Sequence, residues 1–242
     1  LREEPATWSL QGLRGTVADG SFTVSSDPVE QAGTIKATVG ALSGEARARV
    51  VRPLPWTETF ESYADAAVPP GWINAVAGKY SVVTLDGQKV LQKAPDETIL
   101  QRMRMFIGPV DWSNYTFEAD VRVATRRRQM GDIGITAQRY TLVLYGNSQE
   151  LKLEPWEPET QRTVTVPFAW KPDAWYHLKL RVENTADGSV RARGKAWPTG
   201  EPEPAAWQID KLDPMGNPQG APGVFAFAPF GAYLDNVKLV AN

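Results

Sequence analysis

Ala232-Tyr233-Leu234-Asp235-Asn236-Val237-Lys238-Leu239, close to the end of the chain, alternates apolar and polar residues and is typical of a β-strand. Far upstream, residues 59–63 read Thr-Phe-Glu-Ser-Tyr and residues 69–72 read Pro-Pro-Gly-Trp. Between these segments lie short alternating runs and turn residues, and no run has the 3.6-residue period of an amphipathic helix. The segments are therefore predicted to be the opening and closing strands of one β-sandwich.

The composition agrees with a fold of many strands and turns. The 242 residues include 19 Pro and 20 Gly, which is many for a helical protein. The formal net charge of -2 gives no electrostatic drive toward nucleic acid, which is not expected as a partner. The absence of Cys excludes disulfides and thiolate metal sites. No apolar run approaches the roughly 20 residues of a membrane span, so none is predicted.

Residues 1–52 stand apart from the rest. Strand-like alternation is clear from Gly33 to Val39, and glycines punctuate the segment. Together with Trp8-Ser9 and Gly20-Ser21-Phe22-Thr23, this pattern resembles the last two thirds of a bacterial Ig-like repeat. A partial Ig-like domain is therefore expected over residues 1–52. Two prolines stiffen the segment after it, so residues 53–55 are predicted to be a linker.

The larger part, residues 56–242, resembles the concanavalin-A-like lectin/glucanase superfamily of jelly rolls. The resemblance is carried by Phe60-Glu61 with Gly71-Trp72, by Tyr115-Thr116-Phe117-Glu118-Ala119-Asp120-Val121, by Trp175-Tyr176-His177-Leu178-Lys179-Leu180-Arg181-Val182 and by Leu234-Asp235-Asn236-Val237. The expected fold is all-β: a partial Ig-like β-sandwich followed by a lectin-like jelly-roll β-sandwich.

The whole chain also resembles the C-terminal region of large exported bacterial proteins that carry quinoprotein-type β-propeller repeats. This resemblance implies a periplasmic or extracellular location, with the targeting signal outside these residues. It also implies that other domains of a parent protein are partners.

Catalysis is not expected. Many glucanases of this superfamily carry E-x-D-x-x-E or E-x-D-x-E on one strand face, since hydrolysis of a glycosidic bond needs two carboxylates. The nearest text here, Glu118-Ala119-Asp120-Val121-Arg122-Val123, lacks the third carboxylate. The single His, His177, alternates with apolar residues and is interpreted as an outward-facing structural histidine. No catalytic residue is therefore predicted, and a divergent glycosidase remains the less favoured alternative.

The resemblance also implies a structural Ca²⁺ that joins the first strand to the last. Glu61 and Asp235 occupy the matching positions, and carboxylate oxygens are ligands that Ca²⁺ prefers. The alternative is that both carboxylates accept hydrogen bonds from the backbone at strand ends.

Sugar rings bind by stacking on exposed aromatic side chains that polar groups surround. Trp156 and Trp197 lie at strand ends beside prolines, and Tyr140 and Tyr145 lie in a predicted long strand or pair of strands from Ile133 to Tyr145. These four are candidate sugar platforms, with ordinary packing as the alternative for each. The other candidates, Trp72, Trp112 and Trp175, are expected in the core.

Outward positions on the predicted strands carry eight basic and five acidic side chains, a positive surplus on a chain of net charge -2. If several of these strands share one sheet, the face would attract an acidic polysaccharide, and Arg122 and Arg139 are its candidate contacts. The alternative is a solvated face with cross-strand ion pairs. The outward set is Glu118, Asp120, Arg122, Arg139, Glu150, Lys152, Glu154, Lys179, Arg181, Glu183, Arg191, Arg193 and Lys195.

The sequence thus predicts a non-catalytic, carbohydrate-binding module at the C-terminal end of a larger exported bacterial protein. The alternative function is a structural spacer or protein-interaction module without a glycan ligand.

Overall fold

The computed structural model describes residues 5–26, 29–96, 101–126, 129–157 and 159–242 of the chain. Within these ranges every regular element is a β-strand, which confirms the predicted all-β class. The chain divides into two compact units, Leu1–Pro53 with Pro69–Gly71 and Leu54–Val68 with Trp72–Asn242. None of the described segments forms a helix long and apolar enough to cross a membrane.

The first unit contains five strands and a thin core. Three strands form a sheet in the order β1-β4-β5, and β2 pairs with β3 as a separate hairpin. Of the hydrophobic side chains described in this unit, only Leu13 is buried. The Ig-like interpretation of this unit stays a prediction. The strands are β1 (Thr7–Gln11), β2 (Gly15–Ala18), β3 (Ser21–Val24), β4 (Gln31–Val39) and β5 (Leu42–Val50).

The second unit carries the other strands. They are β6 (Trp56–Glu58), β7 (Ile73–Asn74), β8 (Tyr80–Leu85), β9 (Gln88–Lys93), β10 (Met103–Phe106), β11 (Tyr115–Val123), β12 (Thr125–Arg126), β13 (Gln129–Met130), β14 (Asp132–Ala137), β15 (Tyr140–Tyr145), β16 (Glu150–Pro155), β17 (Val164–Pro167), β18 (Tyr176–Asn184), β19 (Val190–Pro198), β20 (Ile209–Asp213), β21 (Gly223–Phe227) and β22 (Ala232–Ala241).

Two antiparallel sheets enclose one hydrophobic core. Sheet A has seven strands in the order β17-β16-β15-β14-β21-β10-β7. Sheet B has eight strands, with the order β20-β19-β18-β11-β22-β9-β8 and with β6 also paired to β22. β6 pairs with β22, with Val237 opposite Glu58, so the first strand of this unit joins its last. The segments 59–63 and 69–72, predicted to open the sandwich, are turns and irregular chain between β6 and β7, so that part of the prediction is wrong.

Period-2 alternation explains how each sheet presents one face to the core. On β18, Tyr176, Leu178, Leu180 and Val182 are buried, while the residues between them are partly exposed. On sheet A the inward row is continuous across strands, because Ile133 lies opposite both Leu144 and Ala226. The remaining side chains of each strand form the two outer faces, and these faces hold the candidate sites.

The turn between β8 and β9 shows how local sequence sets register. Asp86 and Gly87 have φ values of 52° and 87°, which is the left-handed geometry that a two-residue hairpin requires. Asp-Gly is the residue pair that such a turn favours, because both positions require positive φ.

Candidate functional site

The outer face of sheet A carries cations that alternate with core residues along one short strand. Met103 and Met105 of β10 are buried, so Arg104 points outward, and Arg102 precedes the strand on the same side. In register, Arg104 lies opposite Phe225 of β21. Two arginines are thereby placed on a face that also presents aromatic rings.

Arg104 has an unusual environment for a charged side chain. Its guanidinium carbon lies 4.7 Å from the ring centroid of Trp156 and 5.2 Å from that of Phe225. Its Nη1 is buried without a hydrogen-bond partner. No ion pair joins Arg104 to any residue in the described part of the chain. Burial lowers the pKa of Arg104, and the nearby charge of Glu154 opposes this effect.

A depression of ≈ 300 Å³ lies on the same face. Trp156 directly follows β16, is 41% exposed and forms one wall, with its ring 6.1 Å from that of Phe106. Arg139, exposed in the turn between β14 and β15, supplies a cation to the lining. Gly223 lies between Thr136 and Phe106 in register and contributes no side chain, which leaves room above the sheet.

Polar groups lie farther across the face. The Tyr145 hydroxyl donates to Glu154 Oε1 at 2.8 Å, and Lys152 Nζ lies 4.3 Å above the Tyr145 ring. Asp132, opposite Phe227 in register, accepts a 2.9 Å hydrogen bond from the Gly146 N–H. Burial raises the pKa of Asp132 to about 6 despite that hydrogen bond. The face therefore combines aromatic rings, cations and hydrogen-bond acceptors.

The structure separates the predicted platforms. Trp156 and Arg139 share the depression, and Tyr145 lies on the same face. Tyr140 instead points into the core, has no exposed surface and donates its hydroxyl to Asp213 at 2.7 Å. A ring without exposed surface cannot stack on a sugar, so Tyr140 is removed from the candidate site.

Trp197 and Arg122 lie on sheet B, away from the depression. Trp197 is only 9% exposed, with its ring 4.6 Å from that of His177. Arg122 is paired with Asp86 at 2.7 Å. Sheet membership, which alternation does not reveal, separates these two residues from the other candidates.

On the outer face of sheet B, the polar side chains form hydrogen bonds and ion pairs with one another. His177 Nδ1 lies 2.7 Å from Asp120 and its Nε2 lies 3.3 Å from Glu118. Burial would lower the pKa of His177, but these hydrogen bonds raise it to about 9. Burial alone would raise the pKa of Glu118. The hydrogen bond with His177 and the positive charges of Lys179 and Lys238 outweigh burial and lower this pKa to about 2. Glu118 is therefore ionised at neutral pH.

The outward charged residues that were predicted to form one basic face lie on two different sheets. Glu150, Lys152 and Glu154 lie on sheet A, whereas the outward residues of β11, β18 and β19 lie on sheet B. On sheet B the cations have acidic partners. Arg181 and Arg193 both pair with Glu183, for example, and Lys195 pairs with Glu203 at 2.7 Å. For sheet B the ion-pair alternative is the one observed.

The two residues predicted to bind calcium differ in environment. Asp235 is 7% exposed, and burial, with nearby Asp120 and Glu61 acting in the same direction, raises its pKa to about 6. Glu61 is exposed and accepts a 3.0 Å hydrogen bond from the Lys89 N–H. Among the described residues, no group of three or more His, Cys, Asp and Glu side chains is arranged to hold a metal. Calcium at Glu61 and Asp235 stays a prediction.

Sequence reasoning missed Arg102, Arg104 and Asp132. The sequence signal for the two arginines was weak. Arg102-Met103-Arg104-Met105-Phe106 alternates charged and apolar residues, but over only five positions. The partners that give Arg104 its environment, Trp156 and Phe225, are distant in sequence and adjacent only in the fold.

Neither a protein-family model nor a curated protein matches the sequence. Among solved structures, the chain is similar to the carbohydrate-binding module CBM66 from Bacillus subtilis, at 13% identity and a TM-score of 0.50, over 71% of this chain and 96% of that one. It is similar to the alginate lyase Aly36B at 12% identity and a TM-score of 0.50, over 79% and 98% of the two chains. A glycosyl hydrolase family 16 protein from Mycobacterium smegmatis is 14% identical, with a TM-score of 0.50, over 76% and 98%.

At these identities the similarity shows the fold alone. The prediction of a lectin-like jelly roll is confirmed, and the chain shares a fold with carbohydrate-binding modules and with enzymes. The Ig-like part and the resemblance to propeller-repeat proteins stay predictions.

Proposed function

We propose that this protein is a carbohydrate-binding module whose site is the outer face of sheet A, centred on Trp156. The observation that carries the proposal is an exposed Trp ring at the wall of a depression, next to the cation Arg139. A sugar ring presents C–H groups to an aromatic face and hydroxyls to polar neighbours, and such a face offers both.

The site has the rigidity that sugar recognition needs. Trp156 contacts Phe106 and the guanidinium of Arg104, and these contacts reduce the side-chain freedom that binding would remove. Thr136 and Thr141, hydrogen-bonded to each other at 3.0 Å, form a buried polar support beside the depression.

Trp156→Ala is the first test, made in the full chain against an array of neutral and acidic glycans. Loss of stacking should weaken binding about tenfold or more. Trp207→Ala is the matched control, because Trp207 on the side of sheet B also has a cation over its ring, Lys195 at 4.5 Å. Equal binding by the two variants would contradict the proposed site. A folded protein that binds no glycan would favour the spacer or protein-interaction alternative.

A second candidate function, cleavage of glycosidic bonds, is favoured by one observation. Asp132, whose pKa is raised to about 6, shares the outer face of sheet A with Glu154, and Tyr145 hydrogen-bonds to Glu154. Glycosidases use one protonated carboxyl group and one carboxylate. Release of reducing ends from a bound glycan, abolished by Asp132→Asn, would establish this activity. Binding without cleavage would support the non-catalytic module.

The proposed setting is the C-terminal end of a larger exported bacterial protein, in the periplasm or outside the cell, as the sequence resemblance implies. A structural Ca²⁺ at Glu61 and Asp235 belongs to the same proposal. Thermal unfolding with calcium and with a chelator tests it: a calcium-dependent rise in Tm that Asp235→Asn removes is the expected result.

A further inference from the structure

We propose that the outer face of sheet A recognises the carboxylate groups of an anionic polysaccharide, with Arg104 as the central anchor and Arg102 and Arg139 as flanking cations. This inference rests on the proposed carbohydrate-binding function and names the class of its ligand.

The first argument is the missing partner of Arg104. Buried charged groups in proteins are ordinarily paired, because removing a charge from water costs several kcal/mol unless hydrogen bonds replace the lost hydration. Arg104 is desolvated by Trp156 and Phe225, its buried Nη1 has no acceptor, and no described carboxylate forms an ion pair with it. A carboxylate on a ligand would supply the acceptors that the protein does not.

Arg193 provides an internal comparison. Its guanidinium carbon lies 5.2 Å from the ring centroid of Trp207, so it too is stacked on a Trp. Arg193 is nevertheless paired with Glu183 at 3.0 Å. Stacking on an aromatic ring therefore does not prevent an internal ion pair, and the difference between Arg104 and Arg193 is a property of the sheet A face.

The second argument is the spacing of the cations. Arg102 directly precedes β10 and lies two residues from Arg104, hence roughly 6–7 Å from it along an extended chain. Arg139 lines the depression, and a second depression of ≈ 240 Å³ beside Phe227 and Asp132 lies toward the Arg102 end of the face. Cations spread between two depressions fit a polymer with repeated charges better than one small anion.

The acidic residues of the face have partners of their own, although the charge of Glu154 also acts on Arg104. Glu150 is paired with Lys152 at 3.1 Å, Glu154 accepts from Tyr145, and Asp132 accepts from the Gly146 N–H. These carboxyl groups are acceptors already engaged within the protein, and they offer further acceptor capacity to sugar hydroxyls.

The test compares polymers that differ only in charge. The full chain is run in affinity gels that contain polygalacturonate, alginate or hyaluronan, each beside its carboxyl-reduced counterpart, and affinities are then measured by titration calorimetry. We expect at least one carboxylated polymer to bind about tenfold more tightly than its reduced counterpart, with binding that weakens as salt is raised.

The variants are Arg104→Gln, Arg139→Gln and the control Arg193→Gln. Arg104→Gln should lower affinity for the carboxylated polymer about 10- to 100-fold while Tm changes little, because Arg104 has no ion pair with a described residue to lose. Arg139 is exposed, so Arg139→Gln tests the same idea without risk to folding, with a loss of about 3- to 10-fold. Arg193→Gln should lower Tm and leave the affinity unchanged.

Equal affinity for a polymer and its carboxyl-reduced form would overturn this inference and leave the carbohydrate-binding function standing. Unchanged affinity in both Arg104→Gln and Arg139→Gln would also overturn it. Failure to bind any polysaccharide, with the wild-type protein shown to be folded by circular dichroism, would overturn the proposed function as well.

Discussion

The outer faces of the two sheets use similar side chains for different purposes. On sheet B, Glu118, His177 and Asp120 form one hydrogen-bonded row, and the arginines beside it have acidic partners. On sheet A, Arg104 is packed between aromatic rings and has no acid partner among the described residues. Cations that have acidic partners within the protein contribute to stability, whereas a cation without one retains interaction capacity for a ligand.

The largest effect on stability is expected from removing one member of the hydrogen-bonded row on sheet B. Asp120 accepts hydrogen bonds from His177, Thr199 and Asn236, so Asp120→Ala leaves several part-buried donors without an acceptor. We expect the free energy of unfolding to fall by about 3 kcal/mol or more, as measured by urea titration at pH 7. Glycan binding by the folded fraction should not change. A loss of binding larger than the loss of folded protein would contradict the separation of the two faces.

The pH dependence of His177 sharpens the comparison. Its pKa is raised in the folded state to about 9, so its ion-pair contribution is fully present below about pH 6.5 and is lost as the pH rises through 9. We expect His177→Asn to cost on the order of 1–2 kcal/mol more at pH 6 than at pH 9.5, in urea titrations.

A flat difference between the two pH values would show that His177 acts through packing on Trp197 and not through its charge. Lys179→Gln is a useful control, since Lys179 lies on the same strand and pairs with Glu118 and Glu203.

On sheet A the charge of Asp132 is unfavourable in the folded state, whereas the charge of His177 on sheet B is favourable. Its pKa is raised to about 6, so the folded state favours the protonated form, and stability is lost as the pH rises from about 4 through 6. Asp132→Asn keeps an oxygen for the Gly146 N–H and removes the charge. We expect the variant to be more stable than the wild type by on the order of 1 kcal/mol at pH 8 and equal to it at pH 4, by thermal unfolding. Destabilisation at pH 8 would contradict the assigned environment.

The smallest effect is expected at the rim of sheet B. Arg191 and Asp210 form an ion pair in which the side chains are 43% and 38% exposed. Because water screens such a pair, Arg191→Gln should change the free energy of unfolding by less than about 0.5 kcal/mol. A larger loss, measured beside Arg193→Gln, would mean that the whole sheet B network acts as one unit.

The fold was more predictable than the site, for a physical reason. Period-2 alternation reports which side of a strand is buried, and it correctly placed Tyr176, Leu178, Leu180 and Val182 in the core. It carries no information on which sheet a strand joins, so Trp156 on sheet A and Trp197 on sheet B were predicted as equivalent candidates. Arg104 contacts Trp156 and Phe225, which are more than 50 positions away in the sequence, and a local sequence pattern does not predict such contacts.

The strand order of sheet B has a consequence for how the chain reaches this fold. β22 lies in the interior of the sheet, where it pairs with β11, β9 and β6. The other strands of the sandwich are thus synthesised before β22, which joins the β11 side of sheet B to the β9 side. Until then the partner edges of β11 and β9 are open to pairing with other chains. Formation of this unit depends on contacts between residues far apart in sequence, which places it among slow-folding topologies and makes a chaperone-protected interval advantageous during synthesis.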